Sequence, residues 1–147
     1  MDIHKITDNK KEFIELLLLG DEQESMIDKY LDAGDMYVMY DKKPVAQCVV
    51  LNLGDGVYEL KNISVSPEYQ GKGIGSKLID FISETYKSSG KELIVGTGEN
   101  PDTLGFYQKN GFTYYKRIKN FFTDNYDHPI YENGIMLQDM VYLKRKF

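Results

Sequence analysis

A glycine-rich segment near the middle of the chain has the composition of an anion-binding turn. Its residues, in order, are Gln70, Gly71, Lys72, Gly73, Ile74, Gly75 and Ser76. Apolar residues at helical spacing follow, so a helix should begin within the segment. The first N–H groups of a helix have no partner inside it and carry partial positive charge, which suits a diphosphate. Glycines would let that backbone approach the phosphate oxygens closely.

The spacing of these glycines leaves the kind of ligand open. The segment lacks the Gly-x-x-x-x-Gly-Lys-Ser/Thr order of a P-loop, because Ser76 and Lys77 follow the last glycine in the reverse order. It also departs from the dinucleotide fingerprint, whose glycines are spaced differently and which requires an acidic residue about 20 positions further on. Taken alone, the segment is as compatible with a tight turn as with a phosphate site.

The composition limits the classes to which the chain can belong. With 147 residues, 41% of them hydrophobic, it is predicted to form one domain, residues 1–147. A net charge of −5 and a pI near 5.0 argue against a nucleic-acid partner. The longest apolar run, residues 13–19, is too short for a membrane helix. One cysteine, Cys48, and a start without signal-peptide character favour the cytoplasm, and no metal site is expected.

The pattern of apolar residues predicts seven strands and four helices. The helices are predicted at residues 10–20 and 23–33, from the glycine-rich segment to about residue 89, and at residues 102–110. The strands are predicted at residues 2–7, 36–40, 45–53, 57–66, 92–95, 112–122 and 135–146. A polar, aromatic loop at residues 123–134 joins the last two strands. This order gives an α/β (α+β) fold with a mixed, mostly antiparallel sheet flanked by helices.

The fourth predicted strand carries an irregular apolar pattern. Tyr58 and Leu60 are apolar at even positions, whereas Ile63 and Val65 are apolar at odd positions. Because side chains alternate between the two faces of a strand, an extra residue is needed to keep both pairs on one face. We therefore predict a β-bulge near residues 61–62.

Two motifs resemble those of the GNAT superfamily of N-acetyltransferases. Residues 70–75, after a strand and before an amphipathic helix, resemble the family's motif A, Gln/Arg-x-x-Gly-x-Gly/Ala. Further on, Asn100 is followed seven residues later by Tyr107, with Gly111-Phe112 closing the helix, which resembles motif B. Two motifs in the correct order are much harder to meet by accident than one. The resemblance is specific over residues 57–114 and covers the rest of the chain through the order of its elements.

The resemblance implies a fold and a co-substrate, acetyl-coenzyme A. The family's sheet splays open between the fourth strand and residues 92–95, and the pantetheine arm pairs with the open strand edge as an added strand would. Backbone groups of residues 70–76 would hold the diphosphate. Ile63 and Val65 would bind pantetheine, and Asn100 would be brought to the cofactor where the chain leaves the sheet.

The resemblance also implies candidates for catalysis. Acetylation of an amine needs a neutral amine, a donor to the oxygen that becomes negative, and a proton for the departing thiolate. Tyr107 matches the position of the family's tyrosine, and it is the candidate general acid and a candidate cofactor contact. The alternative is that Tyr107 is a buried aromatic residue that anchors its helix. A free backbone N–H near Val65 is the expected oxyanion donor. Glu59 is the candidate general base, with His128 as its rival and a solvated strand glutamate as the alternative.

The loop at residues 123–134 lies where family members shape the acceptor pocket. Tyr126, His128 and Glu132 are its substrate-binding candidates, because acidic and aromatic side chains suit a cationic amine. A solubilising hairpin loop is the alternative.

Direct attack in a ternary complex by a primary amine of a small molecule or peptide is the expected reaction. A protein N-terminal or lysine acetyltransferase and a non-catalytic acyl-CoA-binding module are the alternatives. The oligomeric state is open, and the aromatic residues of the final strand would suit a homodimer.

Overall fold

The computed structural model describes residues 1–147 and contains five α-helices and nine β-strands. The helices are α1 (Ile14–Gly20), α2 (Glu24–Ile27), α3 (Ile74–Tyr86), α4 (Pro101–Lys109) and α5 (Phe121–Asn125). The strands are β1 (Asp2–Ile6), β2 (Asp35–Tyr40), β3 (Pro44–Gly54), β4 (Val57–Val65), β5 (Glu92–Gly98), β6 (Thr113–Ile118), β7 (Tyr131–Glu132), β8 (Ile135–Met136) and β9 (Met140–Lys146). Single 3-10 turns at Lys10–Phe13 and Pro67–Tyr69 precede α1 and α3.

Seven of the strands form one sheet in the order β1-β2-β3-β4-β5-β9-β6. Only β4 and β5 pair in parallel, and every other neighbouring pair is antiparallel. The short strands β7 and β8 form a separate hairpin. The predicted α/β fold with a mixed, mostly antiparallel sheet of about seven strands is confirmed, with five helices where about four were predicted.

The predicted bulge is present in β4. Val49 of β3 pairs with Asn62, whereas its neighbour Val50 pairs with Leu60, so Lys61 has no partner across the ladder. The extra residue resets the alternation of side chains. Apolar residues on both sides of the bulge consequently share the face that packs against α3.

The sheet splays open beyond the bulge, as the resemblance implied. The pairing of β4 with β5 ends at Leu60 and Val95. Further along, residues 96–98 of β5 pair only with β9, and residues 62–65 of β4 pair only with β3. The facing edges of the two central strands are therefore unpaired where they diverge, which leaves backbone groups for a ligand.

Hydrophobic residues pack on both faces of the sheet. On one face, Leu78, Ile79 and Ile82 of α3 are fully buried against the strands. On the other, Leu17 of α1 and Ile27 of α2 are fully buried in a second cluster. Each such side chain contributes about 1.5–3 kcal/mol by leaving water. Packing on both faces thus fixes the strands that border the open gap.

The second helix is shorter than predicted. Residues 23–33 were expected to be helical, but α2 ends at Ile27 and the chain continues as turns. Lys10 donates hydrogen bonds from Nζ to the carbonyls of Leu31 and Gly34, at 2.8 and 2.7 Å. These carbonyls find their partner across the fold, and this tertiary contact overrides local helix propensity. None of the five helices is long and apolar enough to span a membrane.

The strand predicted at residues 112–122 ends early. β6 stops at Ile118, and Asn120 adopts a left-handed conformation with φ of 59°, at the N-terminus of α5. The Asp139 carboxylate accepts a hydrogen bond from Asn120 N at 2.9 Å, which holds the turn. The strand predicted at residues 135–146 is likewise divided into β8 and β9. The loop predicted at residues 123–134 was wrong in detail, since it contains the end of α5 and all of β7.

β6 forms an outer edge of the sheet. All six of its residues are exposed, and Tyr114 is 60% exposed. Such an edge can pair with another strand. The homodimer stays a prediction.

Candidate active site

The N-terminus of α3 presents backbone amides that no group of the protein occupies. Gly71 and Gly73 have φ of 75° and 79°, a conformation that glycine adopts readily. Gly73 is the N-cap and makes no side-chain capping bond, and the helical hydrogen bonds start with Lys77 N donating to Gly73 O at 3.1 Å. The N–H groups at the start of α3 therefore remain available to an anion.

A groove of about 560 Å³, called here the donor groove, leads from these amides along the open edge of β4. Ser66 N donates to Val45 O at 2.8 Å, and successive residues of a strand point to opposite edges, so the N–H groups of Ile63 and Val65 point into the gap. The Val65 carbonyl accepts a hydrogen bond from Gln70 Nε2 at 2.9 Å, which ties the glycine-rich segment to the strand.

The predicted residues of the glycine-rich segment differ in their access to the donor groove. Its lining includes Gln70, Gly71, Gly73, Ile74, Gly75 and Ser76. Lys72 does not line it, and its ammonium lies 5.2 Å from the ring centroid of Tyr69. A Cβ at Gly75 would lie 3.0 Å from the Phe106 ring, so a glycine here allows α4 to pack against the start of α3.

A second space of about 520 Å³, called here the transfer cavity, adjoins the donor groove. Leu19, Ile63 and Thr103 line both spaces. Residues of α5 and of the β7–β8 hairpin line one side of the transfer cavity. A long ligand in the donor groove could therefore present its end to a second molecule in the transfer cavity.

Tyr107 lies in the transfer cavity, one helical turn along α4 from Thr103, which lines both spaces. It is 5% exposed, lines the transfer cavity, and its hydroxyl has no hydrogen-bond partner in the protein. Burial, and then the negative charge of Glu132, raise the pKa of Tyr107 above its usual range. A phenol in this state keeps its proton near neutral pH, so Tyr107 can act as an acid and not as a base.

Glu59 is buried but does not line the transfer cavity. Its Oε2 lies 3.1 Å from Lys61 Nζ and accepts a hydrogen bond from the Tyr142 hydroxyl at 3.3 Å. Burial, followed by the Glu59 charge, raises the pKa of Tyr142 to about 12. Lys61 does line the cavity, so a proton would have to pass beside Lys61 to reach Glu59. The assignment of Glu59 as general base stays a prediction.

Asn100 caps α4 and anchors the hairpin. It is 1% exposed, its Oδ1 accepts from Asp102 N at 3.0 Å, and its Nδ2 donates to Glu132 O at 2.8 Å. It lines neither the donor groove nor the transfer cavity. Its predicted contact with the cofactor stays a prediction, while its structural task is evident from both bonds.

The three acceptor-site candidates occupy different places. Tyr126 and Glu132 line the transfer cavity, and the Glu132 carboxylate accepts a hydrogen bond from the Thr103 hydroxyl. His128 lines a smaller cavity of about 260 Å³ on the outer side of Tyr126. Its exposed ring lies 2.5 Å from Asp127, whose hydrogen bond raises the pKa of His128. The structure therefore brings two of the three candidates together with Tyr107.

Sequence reasoning missed Asp21. Its carboxylate lines the transfer cavity and accepts hydrogen bonds from the hydroxyls of Tyr126, at 2.6 Å, and Tyr30, at 3.0 Å. Desolvation is the main cause that raises the pKa of Asp21, and the two phenols oppose it. Asp21 directly follows Gly20 at the end of a helix, where an acidic residue carries no signal of a site. Only the fold brings its two phenol partners to it.

Free amides at a helix N-terminus and an open strand edge suit a long, phosphate-bearing donor, and the adjoining cavity with its buried phenol suits transfer of a group to a second molecule. Comparison with known proteins agrees with this interpretation. Residues 32–114 match the family model described as acetyltransferase (GNAT) domain. The chain is 36% identical over 135 residues to the uncharacterized N-acetyltransferase YvbK of Bacillus subtilis. The aligned residues cover 90% of this chain and 87% of that protein.

Two solved structures are closely similar. A GNAT family acetyltransferase from Elizabethkingia anophelis, with acetyl-CoA bound, has a TM-score of 0.91 and 37% identity, covering 99% of this chain and 97% of that chain. A Bacillus subtilis acetyltransferase in complex with CoA has a TM-score of 0.88 and 32% identity, also over 99% and 97%. The chain belongs to the GNAT acetyltransferase family. The predicted N-acetyltransferase class and acetyl-CoA as co-substrate are confirmed at the level of the family.

Proposed function

We propose that this protein transfers the acetyl group of acetyl-CoA to a primary amine of a small molecule by direct attack in a ternary complex. The observation that carries the proposal is the junction of the donor groove and the transfer cavity beside the unpartnered Tyr107 hydroxyl. The residues present fit the donor: free amides at the start of α3 suit its diphosphate, and the free N–H groups of Ile63 and Val65 suit the amides of pantetheine.

The proposed reaction forms a nitrogen–carbon bond and breaks the carbon–sulfur bond of the thioester. The amine loses one proton, and the departing sulfur gains one. Tyr107 would donate to the sulfur, since its buried phenol stays protonated at neutral pH. A gap-facing N–H of β4 that does not pair with pantetheine would donate to the oxygen that becomes negative.

The shape of the transfer cavity favours a small acceptor over a protein. Residues of α5 and the hairpin line one side of it, and the Tyr126 to Asp21 and Asn100 to Glu132 hydrogen bonds hold these two elements. A protein N-terminus or lysine would need an extended groove to admit the chain around it. A cavity of about 520 Å³ with walls of this kind supports a free amine as the acceptor.

Replacing Tyr107 with Phe tests the acid. We expect kcat to fall by about 100-fold with KM values changed little, because the phenol donates only as the thiolate departs. Release of free thiol from acetyl-CoA over a panel of amines measures both constants. Tyr114→Phe, which removes a hydroxyl from the exposed β6, should leave them unchanged.

Two outcomes would count against the proposal. Equal kcat values for wild type and Tyr107→Phe across pH would remove Tyr107 from the reaction. Binding of acetyl-CoA without turnover of any amine would favour the non-catalytic acyl-CoA-binding module.

A further inference from the structure

We infer that Asp21 binds a second cationic group of the acceptor, and that the acceptors are diamines or longer amines with two cationic centres. The inference rests on the proposed function, because it assigns the acceptor of the same cavity. It depends on how Asp21 is held, on the charges that face it, and on its position relative to Tyr107.

The Asp21 carboxylate is fixed by one phenol on each oxygen. Tyr126 of the α5 end donates to Oδ1 at 2.6 Å, and Tyr30 donates to Oδ2 at 3.0 Å. Each carboxylate oxygen can accept more than one hydrogen bond. Because Asp21 also lines the transfer cavity, acceptor capacity remains for a ligand there.

A buried polar chain holds Tyr30 in turn. The Tyr30 hydroxyl accepts from Asn62 Nδ2 at 3.1 Å, and Asn62 Oδ1 accepts from Gln47 Nε2 at 2.7 Å. Gln47 is fully buried in the sheet, and Asn62 is 3% exposed. A carboxylate that is oriented through several buried partners is preorganised to bind, and it loses little freedom when it does so.

The charges around Asp21 favour a cation. The ionic side chains that line the transfer cavity are three carboxylates, Asp21, Glu22 and Glu132, and one ammonium, Lys61. Lys61 is shared with Glu59, 3.1 Å away. The Lys61 charge also acts on Asp21 and offsets part of the negative charge, but three carboxylates face this one ammonium. Asp21 lies in a partly desolvated position, where a carboxylate gains more from a cation than it would in water.

Tyr107 and Asp21 line the transfer cavity from opposite faces of the sheet. Tyr107 belongs to the core beneath α3 and lines the cavity from that face. Asp21 follows α1, which packs on the opposite face beside Asn62. The cavity between them thus has a reacting end and a cation-binding end.

These positions require two nitrogen centres in the substrate. The amine that attacks must be neutral, because a protonated nitrogen has no lone pair. A cation held by Asp21 is therefore a different group from the nucleophile. A monoamine would leave the carboxylate without its cation.

Matched amines test this inference. Diamines with three, four and five methylene groups are each compared with the monoamine of the same chain length, for example 1,4-diaminobutane with n-butylamine. We expect wild type to favour at least one diamine by about tenfold or more in kcat/KM, as a charged hydrogen bond in a desolvated site would give. In Asp21→Asn that preference should vanish, because the KM of the diamine should rise to that of the matched monoamine.

Asp28→Asn provides the charge-matched control. It removes the same charge from an exposed carboxylate that pairs with Lys11 and does not line the cavity, so the diamine preference should persist. Thermal unfolding of each variant shows whether the fold is retained. Tyr30→Phe, which removes one of the two hydrogen bonds that orient Asp21, should raise the KM of the diamine more than that of the monoamine.

The outcomes separate this inference from the proposed function. Turnover of amines without a diamine preference, or an equal preference in Asp21→Asn, would overturn the assignment of Asp21 while acetyl transfer stands. If no amine is turned over, the assignment is tested by calorimetric titration of the CoA complex with 1,4-diaminobutane. Tighter binding by wild type than by Asp21→Asn supports the assignment. Equal affinities of the two proteins overturn it.

Discussion

At the scale of single residues, the glycines before α3 are required for their backbone conformation. A Cβ at Gly71 or Gly73 would meet no atom within 4 Å, so the space there is open. Their positive φ angles are unfavourable for any residue with a side chain. They set the direction in which the free amides of α3 point, and this direction determines whether a diphosphate can bind.

Gly73→Val tests that requirement. Strain of about 1–3 kcal/mol at a positive φ should shift the turn, and we expect the affinity for acetyl-CoA in calorimetry to fall at least about tenfold as charge-assisted bonds are lost. Gly54→Val is the control, because Gly54 has φ of 89° and equally open space in the β3–β4 turn. Equal affinities for the two variants would mean that the conformation of Gly73 does not control binding.

A site residue could be identified from the sequence when its partners were close to it along the chain. The glycines and Tyr107 lie in local motifs, so their positions could be recognised. Asp21 could not, since its partner Tyr126 is 105 residues away along the chain. The sequence likewise could not show that Glu59 lies outside the transfer cavity, because the borders of that cavity depend on the packing of distant elements.

At the scale of elements, predictions from periodicity succeeded where side-chain alternation was strong. The phase change in β4 located the bulge, because a strand allows few ways to keep two apolar sets on one face. The end of α2 and the end of β6 were predicted too late. Lys10 and Asp139 determine them through long-range hydrogen bonds, which local propensity does not contain.

Asn100 links two elements, and Asn100→Ser separates its two bonds. Serine can still cap α4 but cannot donate to Glu132 O, so the β7–β8 hairpin should loosen. We expect the KM of the amine to rise several-fold, the free energy of unfolding to fall by about 1 kcal/mol, and the affinity for acetyl-CoA to persist. Steady-state kinetics, denaturant unfolding and calorimetry measure these three quantities.

Asn110→Ser is the matched control for this change. It removes a comparable amide bond, from Asn110 Nδ2 to Phe106 O at 2.8 Å, at the other end of α4. Its amine KM should match that of wild type. A lower affinity of Asn100→Ser for acetyl-CoA would instead support the predicted contact of Asn100 with the cofactor.

At the scale of the whole molecule, the splayed sheet produces the site. The divergence of β4 and β5 opens the donor groove on one side of the gap and the transfer cavity on the other. Periodicity alone did not reveal this arrangement, because strand order depends on contacts between distant segments. The resemblance to the GNAT family supplied it, and the structure adds the acidic cavity that the motifs do not contain.

The central claim is that free amides at the N-terminus of α3 hold the donor by its diphosphate. Calorimetric titration of wild-type protein with acetyl-CoA and with S-acetylpantetheine, which lacks the diphosphate and the nucleotide, tests it most directly. Several charge-assisted hydrogen bonds should make acetyl-CoA bind at least about 100-fold more tightly. Equal affinities for the two ligands would contradict the claim.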